Sequence, residues 1–312
     1  MTLKQLAYFI AITEAGSFSS AARRAYVAQP ALSRQISLLE EELEIQLLER
    51  QHDGIVLTDA GKRLYEMARS VIQTVNSVKD ELKSTQGNPR GHVSISIPAT
   101  SSSLLLPILI DRANKKFSDI ELTIRDGLTK EGGQAVELGK VDFGVVPNAE
   151  ELDDVVSDPI FIEELYWVGE QAMNDTADTI TLAHAAATAL VMPPKGLHLR
   201  RRIEQAAMEA GVELNVRYEQ QSALGLASLV RAGLAATITN WPPIEDNLHS
   251  TARRIVEPGI RRTVSIVHSA HRPLNFAASC MRDLVRSILV ELVQAGRWRG
   301  QLIERDQPPL EL

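Results

Sequence analysis

The sequence predicts an α+α/β protein: an N-terminal winged helix-turn-helix, a long linker helix, and an α/β domain large enough to fold as two lobes. Three observations lead there. Before residue 58, three short helical apolar stripes are followed by a tight-turn signal between extended flanks. From residue 59 to 86 a single apolar stripe steps alternately by four and three. Beyond residue 91, strand-like runs alternate with helical stretches, which indicates βαβ units around a mostly parallel sheet.

Leu3, Leu6, Ala7 and Ile10 recur at helical spacing, as do Phe18, Ala21, Ala22 and Ala25, and then Leu32, Ile36, Leu39 and Leu43. Gly16 separates the first two helices, and Ser17 or Ser19 can cap the second. Only Tyr26, Val27 and Ala28 lie between the second and third, so those helices meet at a steep angle, as in a helix-turn-helix. After Leu48, Asp53-Gly54 marks a turn between extended flanks, a small β-wing.

Thr58 can cap the linker helix, with Asp59 in its positive first turn. Its stripe of Leu64, Ala68, Val71, Val75, Val78 and Leu82 suits a coiled-coil seam between two copies; a helix lying on its own domain is the plainer alternative. Gly87-Asn88-Pro89-Arg90-Gly91 is a hinge by composition. The expected divisions are thus a winged domain at 1–58, a linker at 59–86, a hinge at 87–91 and an α/β domain at 92–312. That last stretch holds too many strands (VSISIP, ELTIRD, FGVV, ALVM, LNVRY, AATIT, TVSIV) for one compact half, which favours two lobes.

The third helix carries the strongest functional signal. Pro30 is tolerated in a first turn that lacks internal N–H partners. On a helical wheel Pro30, Ser33, Arg34 and Ser37 lie opposite the apolar stripe, so the exposed face of the first half is small, polar and once positive, as a major groove requires. Glu40, Glu41, Glu42 and Glu44 follow, where they would repel phosphate. Entry into DNA by the N-terminal end is expected, with the helix dipole favouring phosphate there. A merely solvated polar face is the alternative. The two preceding helices, the short turn, the wing, and Arg23, Arg24, Arg50, Lys62 and Arg63 nearby weigh for DNA.

Bulk composition restricts the choice further. The chain has 312 residues, with 33 Lys and Arg against 40 acids and a formal net charge of −7, so any nucleic-acid contact must be a local patch. Cys280 is the only cysteine, which excludes an intrachain disulfide and a multi-cysteine zinc site. It sits among apolar neighbours in NFAASCMRDLV and reads as a structural thiol. The start MTLKQLAYFIAI has no basic leader region, and no apolar run reaches about 18 residues, so a cytoplasmic protein without membrane contact is expected. No GxSxG, HExxH, GxxxxGK[ST] or strand-linked GxGxxG occurs, and the seven histidines show no paired ligand spacing. Neither an enzyme nor a metal or cofactor is expected.

The run FxxAAxxxxxAQPALSRQIxxLEEELxxxLLxR, from Phe18 to Arg50, followed by LTDAGKRLYE, resembles the DNA-binding end of LysR-type transcriptional regulators. The later α/β pattern is similar to their effector-binding domain over essentially the whole remaining chain. Ala28 replaces the family's usual serine before the Gln-Pro pair, and Leu48 stands where phenylalanine is common. The resemblance implies that Gln29, Pro30, Ser33 and Arg34 contact bases or phosphates. It also implies a partly palindromic double-stranded operator, a homodimer or homotetramer, RNA polymerase as a further partner, and a small-molecule effector. The effector domain is implied to be periplasmic-binding-protein-like, with one lobe at about 92–161 plus 265–300 and the other at about 162–264.

Residues suggest where that effector would lie. VSISIPATSSS leads a strand into an apolar helix, so Thr100, Ser101, Ser102 and Ser103 are expected at a helix N-terminus able to hold a carboxylate or phosphate, one of them serving as the cap. Pro147-Asn148 and Thr239-Asn240 end strands on the same expected side. Lys195, Gly196 and His198 resemble the family's second-lobe loop facing the effector, and Ser222 can cap the following helix. Arg200-Arg201-Arg202 reads as a solvated helix face.

Overall fold

The computed structural model describes residues 1–51, 54–83, 88–127, 129–169, 177–241 and 251–304. The chain divides into two compact units between Asn88 and Pro89.

In the first unit, α1 (Leu3–Ala15), α2 (Phe18–Arg24) and α3 (Gln29–Leu43) precede β1 (Leu48–Gln51), β2 (Gly54–Leu57) and α4 (Asp59–Lys83). Thr2 and Gln5 form a reciprocal capping box at α1. Ser17 caps α2, accepting from the Ser20 N–H at 3.2 Å. Thr58 accepts from the Gly61 N–H at 2.9 Å at the start of α4. Phe9, Ile12, Ala21, Leu32, Ile36, Leu39, Leu47 and Leu48 make one core. The buried face of α1 is Gln5, Leu6, Phe9 and Ile12, not the expected Leu3/Leu6/Ala7/Ile10 stripe, and Leu3 is exposed. Two overlapping helical phases were available, and the one that buries the Phe9 ring hides more apolar area. β1 and β2 pair antiparallel with Gln51 opposite Gly54. The wing tip His52-Asp53, the linker end 84–86 and hinge residue Gly87 lie outside the described residues.

The second unit runs β3 (Gly91–Pro98), α5 (Ala99–Lys116), β4 (Ile120–Gly127), α6 (Thr129–Glu137), β5 (Phe143–Pro147), β6 (Val155–Glu164), β7 (Tyr166–Val168), β8 (Thr179–Thr181), α7 (Leu182–Ala187), β9 (Leu190–Met192), α8 (His198–Glu209), β10 (Val216–Glu219), α9 (Ala223–Arg231), β11 (Thr237–Thr239), β12 (Ala252–Val256), β13 (Arg261–Ser269), α10 (Phe276–Gln294) and β14 (Gly300–Leu302). One six-stranded sheet has the order β14-β6-β13-β5-β3-β4, and a four-stranded sheet has the order β11-β7-β12-β8, with β9 and β10 paired beside it. A Leu190–Ala236 bridge ties that pair to the segment leading into β11.

The six-stranded sheet is mixed rather than mostly parallel. β3 runs parallel to β4 and β5, whereas β13 is antiparallel to β5 and β6, and β14 to β6. β6 leaves the first lobe and β13 returns to it, so the two connecting strands necessarily oppose each other. Their ladder extends to Glu164 opposite Arg261, past residues 161 and 265, where the lobe edges are expected. The cause lies in the last rungs. Glu163 and Arg262 are buried, Arg262 donates to Glu163 Oε1 through Nε at 3.0 Å and also through Nη2, and Trp298 Nε1 donates to Oε2 at 2.8 Å. A buried carboxylate satisfied by three donors keeps both strands paired up to the crossover. Two large apolar clusters form the core, one around Phe143, Phe161 and Met281 that also takes in Tyr166, Val191 and Trp241, the other around Trp167, Leu190 and Ile203.

Candidate nucleic-acid interface and ligand cleft

α3 buries Leu32, Ile36 and Leu39 and turns Gln29, Pro30, Arg34 and Ser37 to solvent, with Ser33 half-buried. Arg23 and Arg24 are exposed in the last turn of α2. Among the described residues Arg23, Arg24 and Arg34 have no hydrogen-bond or ion-pair partner, so three guanidinium groups stand free around the start of α3. Ser19 Oγ donates to Gln29 Oε1 at 2.9 Å and orients that amide. Ala28 occupies the N-cap with extended backbone and offers no side-chain bond, leaving the first N–H groups of α3 without a side-chain partner. Arg50 lies in β1, but its side chain is outside the described residues.

The acids at the far end divide by role. Glu40 Oε1 accepts from the amides of Leu47 and Leu48 at 2.8 and 3.1 Å, so it holds the entry to the wing rather than facing solvent. Glu42 pairs with the N-terminal ammonium. Glu41 and Glu44 are exposed.

The linker stripe splits in two. Ala68 is buried and Leu64 packs on the winged domain's own core, while Tyr65 Oη donates to Glu14 of α1 at 3.1 Å. Those first positions are therefore not free for a partner, because α1 covers them. Val71 and Val78 are exposed by 42% and 51% and Val75 is half-buried, an apolar strip that is costly to leave in water. Leu82 lies in α4, its side chain outside the described residues.

In the second unit, α5 starts directly from β3. Its N-cap is Pro98, which has no side-chain acceptor, so none of the four hydroxyl residues is the cap. Thr100 and the buried Ser101 lie in the uncapped first turn. Ser102 Oγ donates back to the Pro98 carbonyl at 3.3 Å, and Ser103 is exposed. At the end of β5, Pro147 and Asn148 are buried, and Asn148, in left-handed backbone, donates its N–H to Thr263 O at 2.7 Å.

The opposing lobe presents Lys195 and Gly196, both exposed after β9, with Gly196 at φ +85°. His198, by contrast, is buried, with Nε2 3.2 Å from Glu151 Oε1. Glu151 closes the short 3-10 turn that Asn148 begins, so the β5 end and the Lys195–His198 loop are drawn together. Burial lowers the His198 pKa, Glu151 opposes that shift, and Arg262 and Arg201 reinforce it. Of the neighbouring arginines only Arg200 leaves the solvated face; Arg201 is exposed and Arg202 half-buried, though both are paired. Arg200 is buried against Pro193 O and Glu204, Arg201 reaches Glu151 at 2.8 Å, and Arg202 donates to Arg261 O at 3.3 Å. Charge counting along a helix misses the partners of Arg201 and Arg202, which come from distant segments.

Ser222 caps α9, accepting from the Gly225 N–H at 3.4 Å. Thr239 Oγ1 donates to Asn240 Oδ1 at 3.3 Å, which leaves the buried Asn240 Nδ2 with no partner among the described residues. Trp241 follows, edge-on to Tyr166 at 5.0 Å, with the Arg299 guanidinium 3.8 Å from its ring centre. The candidates at β3, β5, β9 and β11 all stand at the C-terminal ends of strands, where open α/β sheets bind ligands. A groove of about 440 Å³ between α5 and α10, lined by Pro107, Arg112 and Glu291, touches none of them. Among the described residues no cluster of His, Cys, Asp or Glu could hold a metal, and no helix is long and apolar enough to cross a membrane.

Residues 3–62 match the family model for bacterial regulatory helix-turn-helix proteins of the lysR family, and residues 86–289 match the LysR substrate binding domain. The chain is similar to the nitrogen assimilation regulatory protein nac of Klebsiella aerogenes, 26% identical over 93% of this chain and 95% of that protein. It is 29% identical to a hydrogen peroxide-inducible genes activator of Haemophilus influenzae, over 93% and 99% respectively. Full-length CbnR solved with its target DNA shares the fold at a TM-score of 0.65 and 24% identity, covering 92% of this chain and 99% of that one.

Proposed function

The chain belongs to the LysR family of bacterial regulatory helix-turn-helix proteins and is a DNA-binding transcriptional regulator, not an enzyme; from that premise we propose that α3 enters the major groove of a partly palindromic operator by its N-terminal half. The observation that carries this is the exposed Gln29/Pro30/Arg34/Ser37 face flanked by free Arg23 and Arg24. Arg50 and Ser33 complete the contact set. Two copies join along Val71, Val75 and Val78 of α4, and contacts between effector domains make a tetramer. The protein acts in the cytoplasm and meets RNA polymerase at the promoter.

A small anionic metabolite binds between the lobes. Thr100 and Ser101 in an uncapped first turn supply hydroxyls and N–H groups, Asn240 supplies an unused amide N–H, and Lys195 supplies charge. Pro147, Asn148, Gly196 and Thr239 shape the walls. The metabolite need only prefer one arrangement of the DNA-bound pairs, for which couplings of about 1–3 kcal/mol suffice.

A reading without effector draws support from His198 and Ser102, whose polar groups are already engaged within the chain. A disulfide-based peroxide response is disfavoured. Cys280 is the only cysteine, and burial, then Asp283, raises its pKa, whereas the thiolate is the reactive form. The test is selection of DNA from a random library by the full chain, followed by thermal-shift screening against metabolite carboxylates and phosphates. Recovery of a symmetric motif together with a stabilising anion supports the whole reading. No enriched motif contradicts the docking, and no stabilising compound contradicts the effector.

A further inference from the structure

α2 ends in a Schellman turn: the Tyr26 N–H donates to Arg23 O at 3.3 Å and the Val27 N–H to Ala22 O at 3.0 Å. That geometry requires left-handed backbone at the residue after the cap, and Tyr26 has φ +53°. Glycine is the favoured occupant because a Cβ is strained there. Here the position carries an aromatic side chain that is 95% exposed and makes no hydrogen bond, ring contact or ion pair with any described residue. The ring and hydroxyl therefore contribute nothing visible to the fold, while the backbone bears a cost to present them. Their place in the fold is the corner joining Arg23 and Arg24 to Gln29 and Pro30.

We infer that Tyr26 is a DNA-backbone contact: its hydroxyl donates to a phosphate oxygen at the edge of the groove that α3 enters. Such contacts fix register and orientation and carry no sequence information. The inference rests on α3 docking as proposed above. A charge-assisted hydrogen bond to phosphate is among the stronger neutral-donor contacts, so its loss is measurable in a single substitution.

The experiment uses the full chain and a fluorescent duplex selected from a random library by the wild-type protein, with a scrambled duplex of equal length beside it. Tyr26→Phe is expected to weaken both by a similar factor of about 5, with an unchanged melting midpoint. Tyr26→Gly is expected to weaken both at least as much while raising the midpoint, since it relieves the left-handed strain. Equal affinity of Tyr26→Phe and wild type overturns the contact. Loss on the selected duplex alone overturns the phosphate assignment, and a lowered midpoint in Tyr26→Phe overturns it by giving the hydroxyl a structural role. Arg34→Ala run in parallel separates the two readings: if it binds as wild type, α3 docking itself fails.

Discussion

Glu151 of the first lobe meets His198 of the second, Oε1 to Nε2 at 3.2 Å, and its other oxygen takes the Arg201 guanidinium at 2.8 Å. One carboxylate thus ties the 3-10 turn after β5 to the first turn of α8. His198 is 7% exposed, so its protonation is coupled to whether this junction is formed.

Because burial holds the folded His198 below the ordinary imidazole value of 6.5, the unfolded chain takes up the proton first as pH falls. The stabilisation is complete above that value and is lost as pH drops through it towards the folded pKa. His268, also lowered by burial and then by Arg282, acts in the same direction. Scanning calorimetry should show the melting midpoint falling as pH is lowered from about 7.5 to 5.5. His198→Gln should flatten part of that slope; an unchanged slope assigns the effect elsewhere.

The start of α3 lacks a side-chain cap because residue 28 is alanine. Ala28→Ser should stabilise the N-terminal unit by about 1 kcal/mol, seen as a raised denaturation midpoint of the full chain. No change would mean that the serine hydroxyl does not reach the N–H of Ala31 or Leu32.

In α4 the exposed and covered parts of the stripe should respond differently. Val78→Asp places an unpaired charge in the seam and should dissociate it by several kcal/mol without unfolding the chain. Ala68→Asp should unfold the winged unit instead, since Ala68 is buried within it. Sedimentation velocity and circular dichroism distinguish the two, and full assembly of Val78→Asp would remove the seam.

Thr100→Ala combined with Ser101→Ala should abolish stabilisation by any anion that stabilises the wild type, while the DNA footprint persists. Ser103→Ala, exposed and past the first turn, should leave both intact. A retained thermal shift in the double variant would place the ligand elsewhere.

Local features were the legible ones. Ser17, Thr58 and Ser222 cap the helices their positions predict, and the Leu32/Ile36/Leu39 stripe is the buried face of α3, because capping and helical periodicity act within one turn. The crossover cluster of Glu163, Arg262 and Trp298 was not legible. Its members meet only through the crossover topology, and nothing in EELYW or GIRRTV alone indicates that these charges are buried. The same holds for Glu40, which reads as one acid in a run but is fixed by the amides of Leu47 and Leu48. The Thr100–Ser103 run was half legible. Sequence places it at a helix start, but Pro98 takes the cap position and only Thr100 and Ser101 stay in the open turn with unspent hydroxyls.

The most direct test of groove docking by α3 is the salt dependence of binding to a selected duplex, measured by fluorescence anisotropy for wild type and Arg34→Ala. Docking predicts a steep loss of wild-type affinity with salt, and a variant weaker by about 10-fold or more with no change in fold or oligomeric state. Identical affinity and identical salt slope in the two proteins would contradict it.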